Sequence, residues 1–328
     1  MKEVSLLFTF LVTMTVLLSS CKRMSLYDLE KAVVLELDLK LDLDVDIDLD
    51  VDVDVDIERT IKMPEHMKVL FYSPDDGGLR YTEFVSGTGG SISTPPSTYR
   101  LVAYNFGTEY TQIRNEGNIN TLEAFTSDIT ATKGAVLRSF TRNDAEEPQG
   151  PVIYPPDHLL VAAETVTIPE WGTEDQHITI HADAKTIIET YTFEVDNITG
   201  LEYVKSAEAF VTNQAIGSFF GRGELNANPA SLYFPVGVDH KHNRLYTAFN
   251  TFGKLPGESR AYLHSLVIDS EGGEHRFSED ITDQFDDSEH HISFDEPVVI
   301  PPPKSGAGGG FDPTVDPWDE DNIDVPIG

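Results

Sequence analysis

Between Leu41 and Glu58 the chain reads LDLDVDIDLDVDVDVDIE, an aliphatic residue and a carboxylate in strict alternation. A period of two puts all the aliphatic side chains on one face of an extended strand and all the acids on the other. Two other readings compete. A calcium loop of the EF-hand type also begins with alternating acids, but it needs a Gly at its sixth position and a closing Glu at its twelfth, and no Gly occurs from Ala32 to Met63. Carboxylates at i and i+2 of a strand stand roughly 6.5 to 7 Å apart, too far to share one hard cation held at about 2.3 to 2.6 Å without help from another strand. A disordered acidic tract would leave a continuous aliphatic face in water. The pattern therefore predicts a strand, although Val33 to Ile61 would span roughly 90 Å, against about ten residues for a long ordinary strand. Only part of it can pair within one domain, and a slip of two residues keeps every aliphatic side chain inward, so register is weakly set. We expect the distal part to form the first strand of a domain and the proximal part to act as a self-repelling spacer that also discourages edge-to-edge aggregation.

Downstream, short segments rich in Val, Ile, Tyr, Phe and Thr alternate with turn residues. Met67 to Tyr72 (MKVLFY), the turn Ser73 to Gly78 and Leu79 to Val85 read as a hairpin, and Tyr99 to Asn105 (YRLVAYN) follows a Pro95-Pro96 turn. Further strands are expected near 176–182, 187–196, 203–212, 231–238, 244–252, 260–269, 274–282 and 290–299. No long amphipathic helix is evident, and Arg138 to Pro156 reads as a loop. The implied class is all-β, with two β-sandwich domains in tandem. Taking Ile168 to Gly172 (IPEWG) as the hinge, we divide the chain into a leader (1–20), a linker (21–32), domain one including the repeat strand (33–170), domain two (171–300) and a tail (301–328). The tail runs PPPKSGAGGG and then FDPTVDPWDEDNIDVPIG, where prolines and glycines exclude a regular helix. Its Phe311 and Trp318 are candidate apolar anchors for docking on the protein's own body or on a partner.

Composition narrows the function classes. The 328 residues, 40% hydrophobic and 10% aromatic, suffice to fill two cores. A formal net charge of −33 argues against nucleic acid as a partner, because binding a polyanion depends on Lys and Arg displacing its counterions. At the N-terminus, Lys2 precedes the apolar stretch Ser5 to Leu18, too short to span a bilayer and fitting a signal-peptide core. Leu18-Ser19-Ser20-Cys21 follows, and Cys21 is the only cysteine, so no intramolecular disulfide is possible. LSSC resembles the bacterial lipobox, which implies cleavage before Cys21 and acylation of that residue. Two or three acyl chains at about 0.8 kcal/mol per buried methylene would hold the protein on a membrane without a spanning helix.

Catalytic patterns are scarce. The sequence carries no HExxH, no G-x-S-x-G and no Walker loop. His177 and His181 lie about 13 Å apart on a strand and cannot share a metal. His240 and His242, flanked by Asp239, could supply two ligands from one face, yet a turn between strands accounts for them equally. His290 and His291 form a third histidine cluster, the acid pair Asp286-Asp287 and Asp319 to Asp321 read as loop charge, and Tyr191, Phe193, Tyr233, Phe234, Phe249 and Phe252 as core. No cofactor, metal site or catalytic residue is expected.

YRLVAYN after its proline turn, Pro155 to Leu160 (PPDHLL), Phe277 to Phe285 (FSEDITDQF) and above all Gly308 to Trp318 (GGGFDPTVDPW) resemble a family of Bacteroidales lipoproteins of uncharacterised function. That family is similar to the fimbrial anchor and tip lipoproteins of the same order. The resemblance covers the chain from about residue 62 onward and implies two transthyretin-like sandwiches, attachment to the outer membrane through Cys21, fimbrial subunits as partners and no enzymatic activity. Lys22-Arg23 stand where an acidic run would resemble a surface-export signal, so the cell surface and the periplasmic face both stay open. The expected role is an accessory or anchor component of a fimbria or adhesin that offers a sheet edge to a partner strand. The alternatives are a glycan-binding surface lipoprotein, which needs exposed coplanar aromatics, and a secreted hydrolase, which needs paired carboxylates or a metal cluster in a cleft.

Overall fold

The computed structural model describes residues 31–40, 63–140, 149–170, 176–257, 259–285, 290–294 and 297–303. The first strands are β1 (Lys31–Lys40), β2 (His66–Tyr72), β3 (Leu79–Ser86), β4 (Gly89–Ile92) and β5 (Ser97–Asn105). An inserted segment follows with β6 (Gln112–Arg114), β7 (Glu123–Phe125), the helix α1 (Thr130–Phe140) and β8 (Val152–Ile153). β9 (Leu160–Ile168) and β10 (Gln176–Thr186) complete the first unit, in the closed order β1-β10-β9-β5-β2-β3-β4. Two of its joins are minimal. β3 meets β4 only at Ser86 and Gly89, and β10 meets β9 only at Lys185–Val161 and Thr186–Leu160. The ring is thus a flattened pair of layers, β3-β2-β5-β9 facing β4-β1-β10, with Val33, Leu35, Leu37, Val69, Phe71, Leu101 and Ile180 packed between them.

The second unit repeats this plan with β11 (Glu189–Asp196), β12 (Val204–Phe219), β13 (Glu224–Asp239), β14 (Arg244–Thr251), β15 (Tyr262–Asp269), β16 (Glu274–Asp280) and β17 (His291–Ser293). β13 is long enough to serve both layers: Glu224 to Val236 pair with β12, while Gly237 to Asp239 pair with β14. The layers are therefore β13-β12-β15-β16 and β14-β11-β17, enclosing Phe193, Phe234, Phe249, Leu263 and Val267. Strand by strand the order matches the first unit, down to one parallel pair in each short layer, β1 with β10 and β11 with β17. The all-β class read from the alternating segments stands, and the hairpin at Ser73 to Gly78 closes as expected through Gly77 N–H to Ser73 O at 3.0 Å.

Three features differ from the expectations. Strand β1 occupies the proximal end of the aliphatic-acid pattern, from Lys31, where a spacer was expected, and the expected distal strand falls on residues 41–62, outside the described residues. Local pattern cannot choose between these windows, because Val33, Leu35 and Leu37 present the same inward face as any window two residues along. The β1 slot is nonetheless closely built. Gly89 sits at φ +100° with Leu35 O so near that a Cβ would stand 1.9 Å from it, which only Gly permits. Second, β10 lies beyond the boundary expected near residue 170 and still pairs with β1 from Gln176 to Lys185. Third, α1 begins ahead of the expected loop and runs into it. Its buried face is only Gly134, Leu137 and Phe140, and a central Gly blurs the helical period.

Candidate functional site

Where β5 ends and β2 begins, a cleft of about 360 Å³ opens between Met63, Pro64 and Glu65 on one side and Phe106 to Glu109 with Asp157 and His158 on the other. Its frame is held by buried polar groups. Asn105 donates to His158 O at 3.0 Å and accepts from Leu160 N–H at 2.7 Å, tying the end of β5 to the start of β9. Asp157 Oδ2 accepts the backbone N–H groups of Tyr110 (2.6 Å) and Thr111 (3.0 Å), which shapes the far wall. The His158 ring lies between Thr186 Oγ1 (2.9 Å) and Thr190 Oγ1 (3.1 Å), and burial pushes it down to about 4, against the opposing pull of Asp157. Neutral imidazole is therefore the resting form.

Beside the cleft, Phe84 on β3 meets Phe106 edge to face, ring centroids 5.5 Å apart at 74°. Next to Phe84 on the same face, Lys68 reaches both Glu116 carboxylate oxygens at 2.7 Å, and Tyr104 donates to the same carboxylate. Burial pushes Glu116 up, but these bonds outweigh it and hold the group below the usual carboxylate range. Composition and motif reading missed this place. The available signal was parity, since Phe84 falls on the outer face of β3 with Arg80 and Thr82 while Val85 points into the core.

The residues singled out from the sequence fare differently. Cys21, Phe311 and Trp318 lie outside the described residues. His177 and His181 both stand exposed on β10, and His181 Nδ1 lies 3.0 Å from Glu36 of β1. Asp239 is the centre of a turn: it accepts the backbone N–H groups of Lys241 and His242 (both 3.1 Å), the His242 ring (2.6 Å) and Arg244 Nε (3.1 Å). His290 stacks on Tyr191 at 4.6 Å and His291 Nδ1 is 3.0 Å from Thr192 Oγ1, so both histidines help seat the last strand against β11. Tyr191, Phe193, Phe234, Phe249 and Phe252 are core, and Tyr233 is half-buried beneath α1.

The sheets end in unpaired edges. Away from the two-residue join, Ala162 to Ile168 of β9 and Gln176 to Ala184 of β10 have no strand partner on their facing sides among the described residues. The outer side of β16 is likewise unpaired among them. Such edges present regularly spaced backbone donors and acceptors, the chemistry of strand addition.

The family model described as a domain of unknown function, DUF5119, matches residues 42–235, more than half of the chain. Fim4B of Bacteroides ovatus, described as a candidate fimbrium anchoring subunit, is 25% identical over 307 residues, covering 82% of this chain and 86% of that one. The crystal structure of a candidate adhesin from Bacteroides ovatus shares the fold, with a TM-score of 0.56 at 20% identity, covering 87% of this chain and 98% of its own. The fimbrial anchor protein Mfa2 from Porphyromonas gingivalis aligns at a TM-score of 0.44 and 13% identity, over 80% of this chain and 88% of its own.

Proposed function

The chain belongs to the DUF5119 family, and from that premise we propose that it is a lipid-anchored component of the cell envelope that attaches a fimbria or adhesin by protein–protein binding. In this reading Cys21 is acylated and holds the protein to the outer membrane. The two matched units are transthyretin-like sandwiches in tandem, the first closing with β10 and the second ending near Ile300. The tail with Phe311 and Trp318 docks on a partner, and that partner is a fimbrial subunit. The observation that carries the reading is the pair of edges on β9 and β10 that, among the described residues, have no strand partner beyond a two-residue join and can each take a further strand. Similarity to a candidate fimbrium anchoring subunit over most of both chains supports the same role. A carbohydrate platform asks for coplanar exposed rings, whereas Phe84 and Phe106 meet at 74°.

The test is affinity isolation of the intact protein from its native membrane, with mass spectrometry of what co-purifies. Fimbrial subunits are expected in the wild-type sample, and their absence would overturn the reading. Cys21→Ala should move the protein from the detergent phase to a soluble or unprocessed form. Processed mutant that still partitions into detergent would sink the lipid anchor.

A further inference from the structure

We propose that α1 is a flap hinged at Thr130 and latched at Phe140, and that protonation of His264 beneath the latch swings it off the second unit. The inference rests on the fold alone and is independent of the fimbrial reading. The two ends of α1 are fastened differently. The N-terminal end is tied through the backbone: Ile129 N–H donates to Val152 O at 2.7 Å, Val152 N–H donates to Thr130 Oγ1 at 2.8 Å, and β8 is itself a parallel partner of β13. At the C-terminal end the fastening, among the described residues, is by side chains. Leu137 and Phe140 are buried there, and the bond from Arg276 Nε to Ser139 Oγ, 3.1 Å, is exposed. Gly134 between the two ends weakens the helix, so its hold depends on these contacts.

The latch is one ring on another. Phe140 stacks on His264, centroids 5.0 Å apart at 28°, and tilts toward Phe210 at 6.2 Å. His264 is 0% exposed, its Nδ1 lies 2.8 Å from Ser278 Oγ, and its Nε2 has no hydrogen-bond partner among the described residues. Whichever tautomer the neutral ring takes, the imidazolium carries an N–H at Nε2, and under Phe140 that donor meets no acceptor. The charges facing the ring are already engaged. On this face β12 presents Glu208, held by Lys133 of α1 and by the Tyr233 hydroxyl of β13. β16 presents Glu274 bonded to Arg276, and Asp280 at 3.6 Å from Arg260. α1 adds Arg138, engaged as well, and β15 adds Tyr262, stacked at 6.2 Å. Burial pushes His264 down to about 4, with no countercharge to oppose it. Water reaches Nε2 when Phe140 leaves, so the open form takes up its proton near the ordinary 6.5. Above about 6.5 the flap stays down, and between that value and about 4 acid favours the open form, approaching tenfold per pH unit. Opening uncovers Phe210 and Leu266, an apolar sheet face that the neutral protein keeps hidden.

The experiment is amide exchange of the full chain from about pH 7.5 to about 5, expressed as protection factors so that the intrinsic pH dependence of exchange cancels. Protection of Gly134 to Phe140 is expected to fall, approaching tenfold per unit below about pH 6, while the amides of Phe210 in β12 and Leu266 in β15 keep theirs. His264→Phe should hold α1 protected across the range, and His264→Gln, equally unable to take a charge, serves if phenylalanine does not fit. Phe140→Ala should leave α1 poorly protected at every pH with the sheet intact, and its His264 ring should titrate nearer 6.5 by NMR. Where neither His264 variant folds, the wild-type pattern and this titration decide. The same acid loss in a folded His264 variant, joint loss of α1 and sheet protection, an α1 that stays protected to about pH 5, or an unmoved His264 titration in Phe140→Ala would each overturn the proposal.

Discussion

Buried histidines tie the stability of the fold to pH. His158 and His264 are pushed down to about 4, chiefly by burial, and His264 Nε2 has no hydrogen-bond partner under the ring of Phe140, 5.0 Å away. In the unfolded chain each would titrate near its ordinary 6.5. Between those values the unfolded state holds protons that the folded state refuses, so their stabilisation is complete above about 6.5 and is lost as pH falls toward 4. Melting temperature should therefore decline over that window, and His264→Phe should reduce the slope of unfolding free energy by about one proton. An unchanged slope in denaturant titrations across the window would show that His264 is not buried neutral. Carboxylates act at lower pH. Burial pushes Asp239 up, but its bonds from His242 and Arg244 win and leave it below the usual range, so its contribution disappears only as pH falls through the carboxylate range. Asp239→Asn should cost about 1–3 kcal/mol by weakening the bonds from His242, the turn N–H groups and Arg244 Nε, although Arg244 keeps Glu194, measurable as a lowered denaturation midpoint.

Among the elements, β1 is the one whose register its own sequence sets least. Its outward contacts, Glu36 with His181 at 3.0 Å and Lys40 with Asp38 and Asp183 at 3.2 and 3.3 Å, are exposed and screened by water, so they contribute little. The inward Val33, Leu35 and Leu37 carry the strand, and the same aliphatic parity continues to Ile57. Leu35→Asp should therefore be relieved by sliding the repeat four or more residues, which carries position 35 past the buried slot of Val33, lowering the melting temperature by a few degrees. Leu101→Asp on the non-repeating β5 should abolish folding, because it buries an unpaired charge without an escape. Equal damage from both would show that β1 is register-locked. Deletion of Asp44 to Ile47, which lies outside the described residues, preserves parity and should be tolerated. For α1, the contacts of Phe140 with Phe210 and His264 carry the docking, so Phe140→Ala should cost about 3–5 kcal/mol and let the His264 ring titrate closer to its ordinary value, as followed by NMR.

At the scale of the whole molecule, the two units are joined by a shared core as dry as either interior. Leu70, Tyr72, Val102 and Tyr104 on the outer face of the first unit pack with Ile119 and Leu122 of the insertion and with Ala215, Phe220, Phe252 and Leu255 of the second unit. The Tyr104 and Phe220 rings meet edge to face at 5.4 Å, and the insertion is stitched onto the second unit where β7 pairs with Gly217 and Ser218. A joint of this kind should make the chain unfold in one cooperative step. Phe220→Ala is expected to remove about 3–5 kcal/mol and to split the single calorimetric transition into two. One transition in the variant, displaced but unbroken, would show that the joint does not depend on this ring.

Taken alone, the sequence determined whatever local pattern can encode. Period-two alternation set the all-β class and the inward parity of Val33, Leu35 and Leu37. Turn residues at Ser73 to Gly78 set a hairpin, and the lack of any second cysteine excluded internal disulfides. Only the tertiary structure decided which window of a degenerate repeat pairs, because every even shift is locally equivalent and the choice rests on β10, whose Ile180 lies far along the chain from its partner Leu35. It also decided that a weakly amphipathic stretch with a central Gly becomes α1, since the face of β12 and β15 supplies the apolar cover that the segment lacks by itself. The cleft was beyond local reading for the same reason: Met63, Phe84, Phe106 and Asp157 are strangers in sequence, brought together by strand pairing across the end of the first unit.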